Sequence, residues 1–139
     1  MLAYLDHHAT TPCDPAVVAA MAPWWSEHCA NPANRLYRPA LEAAAAVERA
    51  RGQLARVLGS SAETVIFTSG ATESNNLAVK GAAEIYAKAP AGQQGRGHII
   101  TCTIEHKAVL DPCKRLQREG FDVTFLEPPA DGVITAEMV

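Results

Sequence analysis

The stretch IFTSGATESNN, Ile66 to Asn76, decides how the fold is read. Four β-favouring residues, Val65 to Thr68, run into the small and polar set Ser69, Gly70, Ala71 and Thr72, and Glu73 opens a helical pattern. A strand that turns directly into a helix gathers backbone N–H groups in one place, and such a place binds an anion. Two readings of the turn stand side by side. One is an ordinary strand-to-helix turn, with Thr72 as N-cap and Glu73 favoured by the helix dipole. The other is a phosphate site made by the N–H groups of Gly70, Ala71 and Thr72 with the Thr72 hydroxyl. Neither G-x-x-x-x-G-K-[ST] nor G-x-G-x-x-G is present, so the turn is not one of those phosphate loops.

Outward from this junction the pattern alternates. A strand over 64–68 leads into a helix over 72–88, and APAGQQGRG reads as a surface loop. HIITCTIEH predicts a strand over 98–104, followed by a helix over 107–119 that Gly120 stops and a strand over 122–126. On the N-terminal side, 4–12 is extended. Asp14 and Pro15 suit the N-cap and first position of a helix, and that helix must bend or restart near Pro23. CANPANRLYRP is a loop. A long amphipathic helix over 40–58 carries Leu41, Ala44, Ala45, Leu54, Val57 and Leu58 near helical spacing and stops at Gly59. The order predicts an α/β fold with a largely parallel sheet and helices on its faces. Thr135 reads as the N-cap of a helix starting at Ala136. Four residues cannot hold a helix alone, so the sequence reads as the front part of something longer.

Composition narrows the function classes. The chain has 139 residues, 48% of them hydrophobic, and a net charge of −3. No basic run is present, so there is no electrostatic reason to expect nucleic acid or a membrane surface. The N-terminus lacks a signal-peptide pattern, and no stretch is long and apolar enough for a membrane span. Cys13, Cys29, Cys102 and Cys113 form no C-x-x-C pair, and no histidine cluster has zinc spacing. The expectation is a soluble cytoplasmic protein with reduced thiols and no metal.

His106 stands where the strand over 98–104 gives way to a helix. In open parallel sheets that edge is where ligands bind; the plainer alternative is a solvated histidine between Glu105 and Lys107. Adjacent His7 and His8 point opposite ways on an extended segment, which makes a poor metal pair. Asn31 and Asn34 read as turn residues or as ligand contacts. Trp24 and Trp25 are expected in a core or interface. Cys102 is expected as a buried thiol, and Cys29 as a loop residue with no activator.

Together YLDHHATTP, NPAN, VIFTSGATESNNLAVKG and HIITCTIEHKAVLD resemble the pyridoxal-phosphate-dependent cysteine desulfurases of the class-V aminotransferase group, in register from about Tyr4 to Ile134. The resemblance implies a three-layer α/β/α fold. Residues 1–15 would belong to a small domain and 16–139 to the first part of a large cofactor-binding domain. It implies pyridoxal 5'-phosphate as cofactor, its phosphate held by Gly70, Ala71 and Thr72. His106 would stack on the ring and take part in proton transfers. It implies L-cysteine as substrate, with His8, Asn31 and Asn34 on the substrate side. A homodimer, or assembly with the missing C-terminal part, and a sulfur acceptor protein would be the partners. Two positions depart from the family pattern: His8 where an asparagine is usual, and Tyr37 where a histidine is usual.

In the family the lysine that bonds to the cofactor, the acid facing the pyridine nitrogen and the persulfide cysteine come from later segments. Lys80 and Lys88 are expected along one helix, away from its phosphate-binding start, and Lys107 on the wrong side of the His106 turn. The chain alone is therefore expected to be inactive. The alternatives are a non-catalytic fold fragment that binds a partner or a phosphate, and another enzyme of the group such as a selenocysteine lyase.

Overall fold

The computed structural model describes residues 3–87 and 97–139. The chain divides into two compact units, Met1–Ile66 and Phe67–Val139.

The first unit is helical. Asp14 accepts a hydrogen bond from the Ala16 N–H at 2.8 Å and caps α1, Pro15–Met21, with Pro15 at its first position. Pro23 restarts the chain as a single turn, α2, Pro23–Ser26. Helix α3 runs from Arg38 to Leu58. It stops where expected: Gly59 takes φ 64, and the Ser60 N–H reaches back to the Ala55 carbonyl at 2.9 Å. Only glycine adopts this left-handed turn without strain. The buried face of α3 differs from the expected one. Ala40, Ala43 and Ala55 are buried, while Leu54, Val57 and Leu58 are exposed. Among the described residues only the 3-10 turn Ala62–Thr64 packs substantially on α3, so its larger apolar side chains find no cover within the unit. Trp24 and Trp25 are likewise exposed, not core.

The second unit is a βαβ arrangement with a helix before it. Helix α4, Ala71–Ala87, leads to β1, His98–Cys102; then follow α5, Lys107–Arg118, and β2, Asp122–Leu126. Strands β1 and β2 pair in parallel, His98 opposite Asp122 through Cys102 opposite Leu126. A parallel pair needs a crossover connection, and α5 supplies it. Gly120 at φ 99 ends that turn as the sequence predicts. On α5 the buried residues Ala108, Pro112 and Leu116 recur every fourth position, with Cys113 beside them. That face meets α4, whose buried residue is Ala83, and the strands. Leu116 is the one leucine that is buried among the described residues.

The expected strand over 64–68 is absent as such. Residues 62–64 form the 3-10 turn, and 65–68 run without a ladder. β-favouring residues make a strand only when a neighbour supplies hydrogen bonds, and here the Val65 carbonyl accepts from the Arg51 guanidinium instead. The strand expected to reach residue 104 ends at Cys102. The helix start at Thr135 is only a 3-10 turn, Ala136–Met138. No helix among the described residues is long and apolar enough to cross a membrane.

Candidate functional site

Two helix starts build the site, both in the second unit. Helix α4 begins at Ala71, two residues earlier than a Thr72 cap requires. Thr72 is therefore inside the first turn, and Gly70 is the residue before the helix. The Ser74 N–H donates to the Gly70 carbonyl at 3.1 Å and closes that first turn. The N–H groups of Ala71, Thr72 and Glu73 precede this bond and have no intrahelical acceptor. They carry the positive end of the helix dipole.

Side chains pin the turn ahead of them. The Glu73 carboxylate accepts from the Ser69 N–H at 2.7 Å and from the Ser69 hydroxyl at 2.6 Å. These two bonds hold the Glu73 carboxyl below the usual carboxylate range, the hydroxyl contributing more than the amide. The Thr68 and Ser74 hydroxyls lie 2.6 Å apart, and each is within hydrogen-bond distance of the Gly70 carbonyl.

His106 caps α5. Its Nδ1 accepts from the Ala108 N–H at 3.1 Å, two residues into the helix. An accepting Nδ1 carries no proton, so the neutral ring bears its proton on Nε2. His106 is exposed.

Thr72 and His106 line one cleft of about 360 Å³ between α4 and α5. Asn76 and Lys80 continue the wall on α4, and Lys107, Asp111 and Arg115 continue it on α5. Lys80 stands eight residues after Thr72 on α4, away from the helix start, and borders the same cleft, as does Lys107. The spacing Thr72, Asn76, Lys80 was a signal for this, because residues four apart share a helix face. Asn76 also donates to the Thr72 carbonyl at 2.9 Å. Lys88 lies outside the described residues. The cations outnumber Asp111, so the cleft favours an anion.

The other candidates sit in the first unit and have local partners. Asn31 accepts from the Ala33 N–H at 2.9 Å and Asn34 from the Leu36 N–H at 2.8 Å, so each closes its own turn. His7 Nδ1 and the Thr11 hydroxyl lie 3.0 Å apart, and His8 is exposed. Tyr37 precedes α3 in an extended conformation. Cys102, expected buried, is half-buried, and Cys29 is exposed. Cys113 is the buried thiol; burial, then the nearby Glu105 charge, pushes its pKa up and makes it a poor nucleophile. No group of three or more metal-ligating side chains occurs among the described residues.

The sequence pattern of the "Aminotransferase class-V" family matches residues 3–139. The chain belongs to the class-V aminotransferase family. It is 50% identical over 130 residues to the cysteine desulfurase IscS of Anaeromyxobacter sp. (strain K), covering 93% of this chain and 30% of that protein. The IscS of Rickettsia bellii is 46% identical over 136 residues, covering 98% and 32%. Among solved structures, SspA in complex with cysteine superposes with a TM-score of 0.81 at 42% identity, over 96% of this chain and 37% of that one. DndA from Streptomyces lividans gives 0.76 at 42% identity, over 98% and 36%. These matches extend the α/β assignment from the two paired strands to the fold as a whole. The chain spans about 30% of the length of the curated relatives it matches.

Proposed function

We propose that this chain forms the cofactor-phosphate and ring-facing part of a pyridoxal-phosphate-dependent cysteine desulfurase. That enzyme converts L-cysteine to alanine and passes the sulfur on as a persulfide to an acceptor protein, for iron–sulfur clusters or thiolated tRNA. In this reading residues 1–15 belong to the small domain and 16–139 to the first part of the large one. The working form is a cytoplasmic homodimer. The observation that carries the reading is the shared cleft: an anion-binding helix start at Thr72 and a flat, exposed imidazole at His106 open onto one cationic space.

The residues fit the cofactor. The Ala71 and Thr72 N–H groups and the Thr72 hydroxyl hold the phosphate, with Gly70 permitting close approach. Nothing lies within 4 Å of a Cβ built at Gly70, so that side of the turn is open. Pyridoxal phosphate, when bound, supplies the electron sink for breaking bonds at the amino acid. His106 would lie against the ring, with its proton at Nε2 because the Ala108 N–H occupies Nδ1. His8, Asn31 and Asn34 belong to the substrate side. Lys107 and Lys80 raise the local positive charge. In this reading the lysine that bonds to the cofactor and the persulfide cysteine come from segments beyond these 139 residues.

The test is sulfide release from L-cysteine and pyridoxal phosphate by the purified chain, alone and with a polypeptide carrying the later segments of an IscS relative. The expected result is none alone and turnover with the added polypeptide. Turnover by the chain alone would contradict the assignment of the missing groups. Failure to bind pyridoxal phosphate in either state would remove the cofactor reading.

A further inference from the structure

Glu73 occupies an odd place for a residue beside a phosphate site. An anionic side chain in the first turn of α4 competes with an anionic ligand for the same N–H groups. Its carboxylate does not bond to the N–H groups of its own turn. It reaches back four residues and takes the N–H and hydroxyl of Ser69. Ser69 precedes Gly70, the residue whose carbonyl receives the first helical bond. The carboxylate thus clamps the chain on the N-terminal side of Gly70, while Thr68 and Ser74 meet around the Gly70 carbonyl. Gly70 sits between these anchors and is the one residue of the turn with wide backbone freedom. Without the clamp, the Ser69–Gly70 peptide is free to rotate, and the N–H groups that follow lose their fixed direction.

We propose that Glu73 is a positioning residue: by bracing Ser69 it fixes the Gly70 turn so that the N–H groups of Ala71 and Thr72 converge on a phosphate. This rests on the phosphate reading above and adds a residue that does not itself touch the ligand. Two effects of Glu73 oppose one another. Its charge repels a phosphate, weakly across solvent, and its brace pre-organises the donors that hold one. An exposed like-charge contact shifts an equilibrium by about fivefold at most. A charged acceptor for two donors is worth more than that.

Replacement by two side chains separates the effects. Glu73→Gln removes the charge and keeps an acceptor for Ser69; Glu73→Ala removes both. Dissociation constants of the whole chain for inorganic phosphate and for pyridoxal phosphate are measured by amide-resolved NMR titration, with solvent exchange of the Ser69 amide followed in the same samples. The brace predicts that Glu73→Ala weakens both ligands by about tenfold, with faster Ser69 exchange. It predicts Glu73→Gln within about threefold of the parent. Tighter binding by both variants would show that charge alone matters and overturn the proposal. So would unchanged affinity in Glu73→Ala, even with lowered stability, since that is a helix cap and nothing more. If the unsubstituted chain binds neither ligand, the phosphate reading fails and the proposal with it, whatever the Ser69 exchange rate. Equal binding by all three proteins removes the brace and leaves the phosphate site standing.

Discussion

His106 has two separable jobs, and replacing it should show both. Its Nδ1 is the cap acceptor for the Ala108 N–H at 3.1 Å. Alanine at this position leaves that N–H with water alone. Loss of an N-cap acceptor costs about 1 kcal/mol, within a range of 0.5–2. The bond is at an exposed helix start, so the middle of that range applies. Asparagine is among the best N-cap residues and keeps an acceptor at a similar reach. His106→Ala should therefore lower the stability of the second unit by about 1 kcal/mol, while His106→Asn should restore it to the parent value or slightly above. Urea unfolding read at the amides of Ile100 and Thr124 reports on that unit alone, because both lie in the paired strands. With a urea slope of about 1 kcal/mol per molar for a unit of this size, the alanine midpoint should fall by about 1 M. Ligand binding should order the variants differently. Asparagine restores the cap but offers no ring, so His106→Asn should bind inorganic phosphate like the parent and pyridoxal phosphate less tightly. Equal destabilisation by alanine and asparagine would refute the cap. Equal pyridoxal phosphate affinity in parent and asparagine variant would refute the ring contact.

Three further outcomes follow from the same geometry. Thr72→Ala should weaken phosphate binding by about 1–2 kcal/mol, the loss of one hydrogen bond to a charged group; unchanged affinity in a calorimetric titration would count against the site. Leu116→Ala should cost about 3 kcal/mol, because the side chain is 4% exposed, whereas Val57→Ala, at 84% exposed, should change urea stability by less than about 0.5. The Glu73 carboxyl has its folded pKa lowered by the Ser69 bonds. A depressed folded value means the stabilisation is present above the unfolded value and is lost as pH falls through the folded one. The Ser69 amide shift should therefore hold steady through neutral pH and move with a midpoint below that of an ordinary glutamate; a midpoint at or above the ordinary one would contradict the bonds.

The parts of the fold that local chemistry dictates were legible in the sequence. Gly59 and Gly120 end helices because only a positive φ lets the chain turn back there, and both were readable as stops. The β1–α5–β2 crossover followed from the alternation of patterns. The segment over 64–68 was not legible as it stands, since a ladder depends on a neighbour and not on the β-preference of Val65 and Ile66. The buried face of α3 was misread for a related reason. Amphipathic spacing marks which residues can be buried, and what packs against them decides which are. In the candidate site, the helix starts that carry Thr72 and His106 were readable in the sequence, although no strand precedes the first. Their tuning was not. That His106 caps its helix through Nδ1 depends on a rotamer, and that Glu73 reaches Ser69 depends on a four-residue span longer than the usual capping box. Asn31 and Asn34 show the reverse: side chains open to a ligand reading are engaged in closing their own turns.

The central claim is that the start of α4 and the ring of His106 hold one cofactor. The most direct measurement is a residue-resolved amide and imidazole NMR titration of the chain with pyridoxal phosphate, repeated with inorganic phosphate. The account predicts that both ligands shift the amides of Gly70, Ala71 and Thr72, that only pyridoxal phosphate also shifts the His106 ring, and that each displaces the other. Shifts confined to other residues, or a His106 ring that responds to both ligands alike, would contradict it.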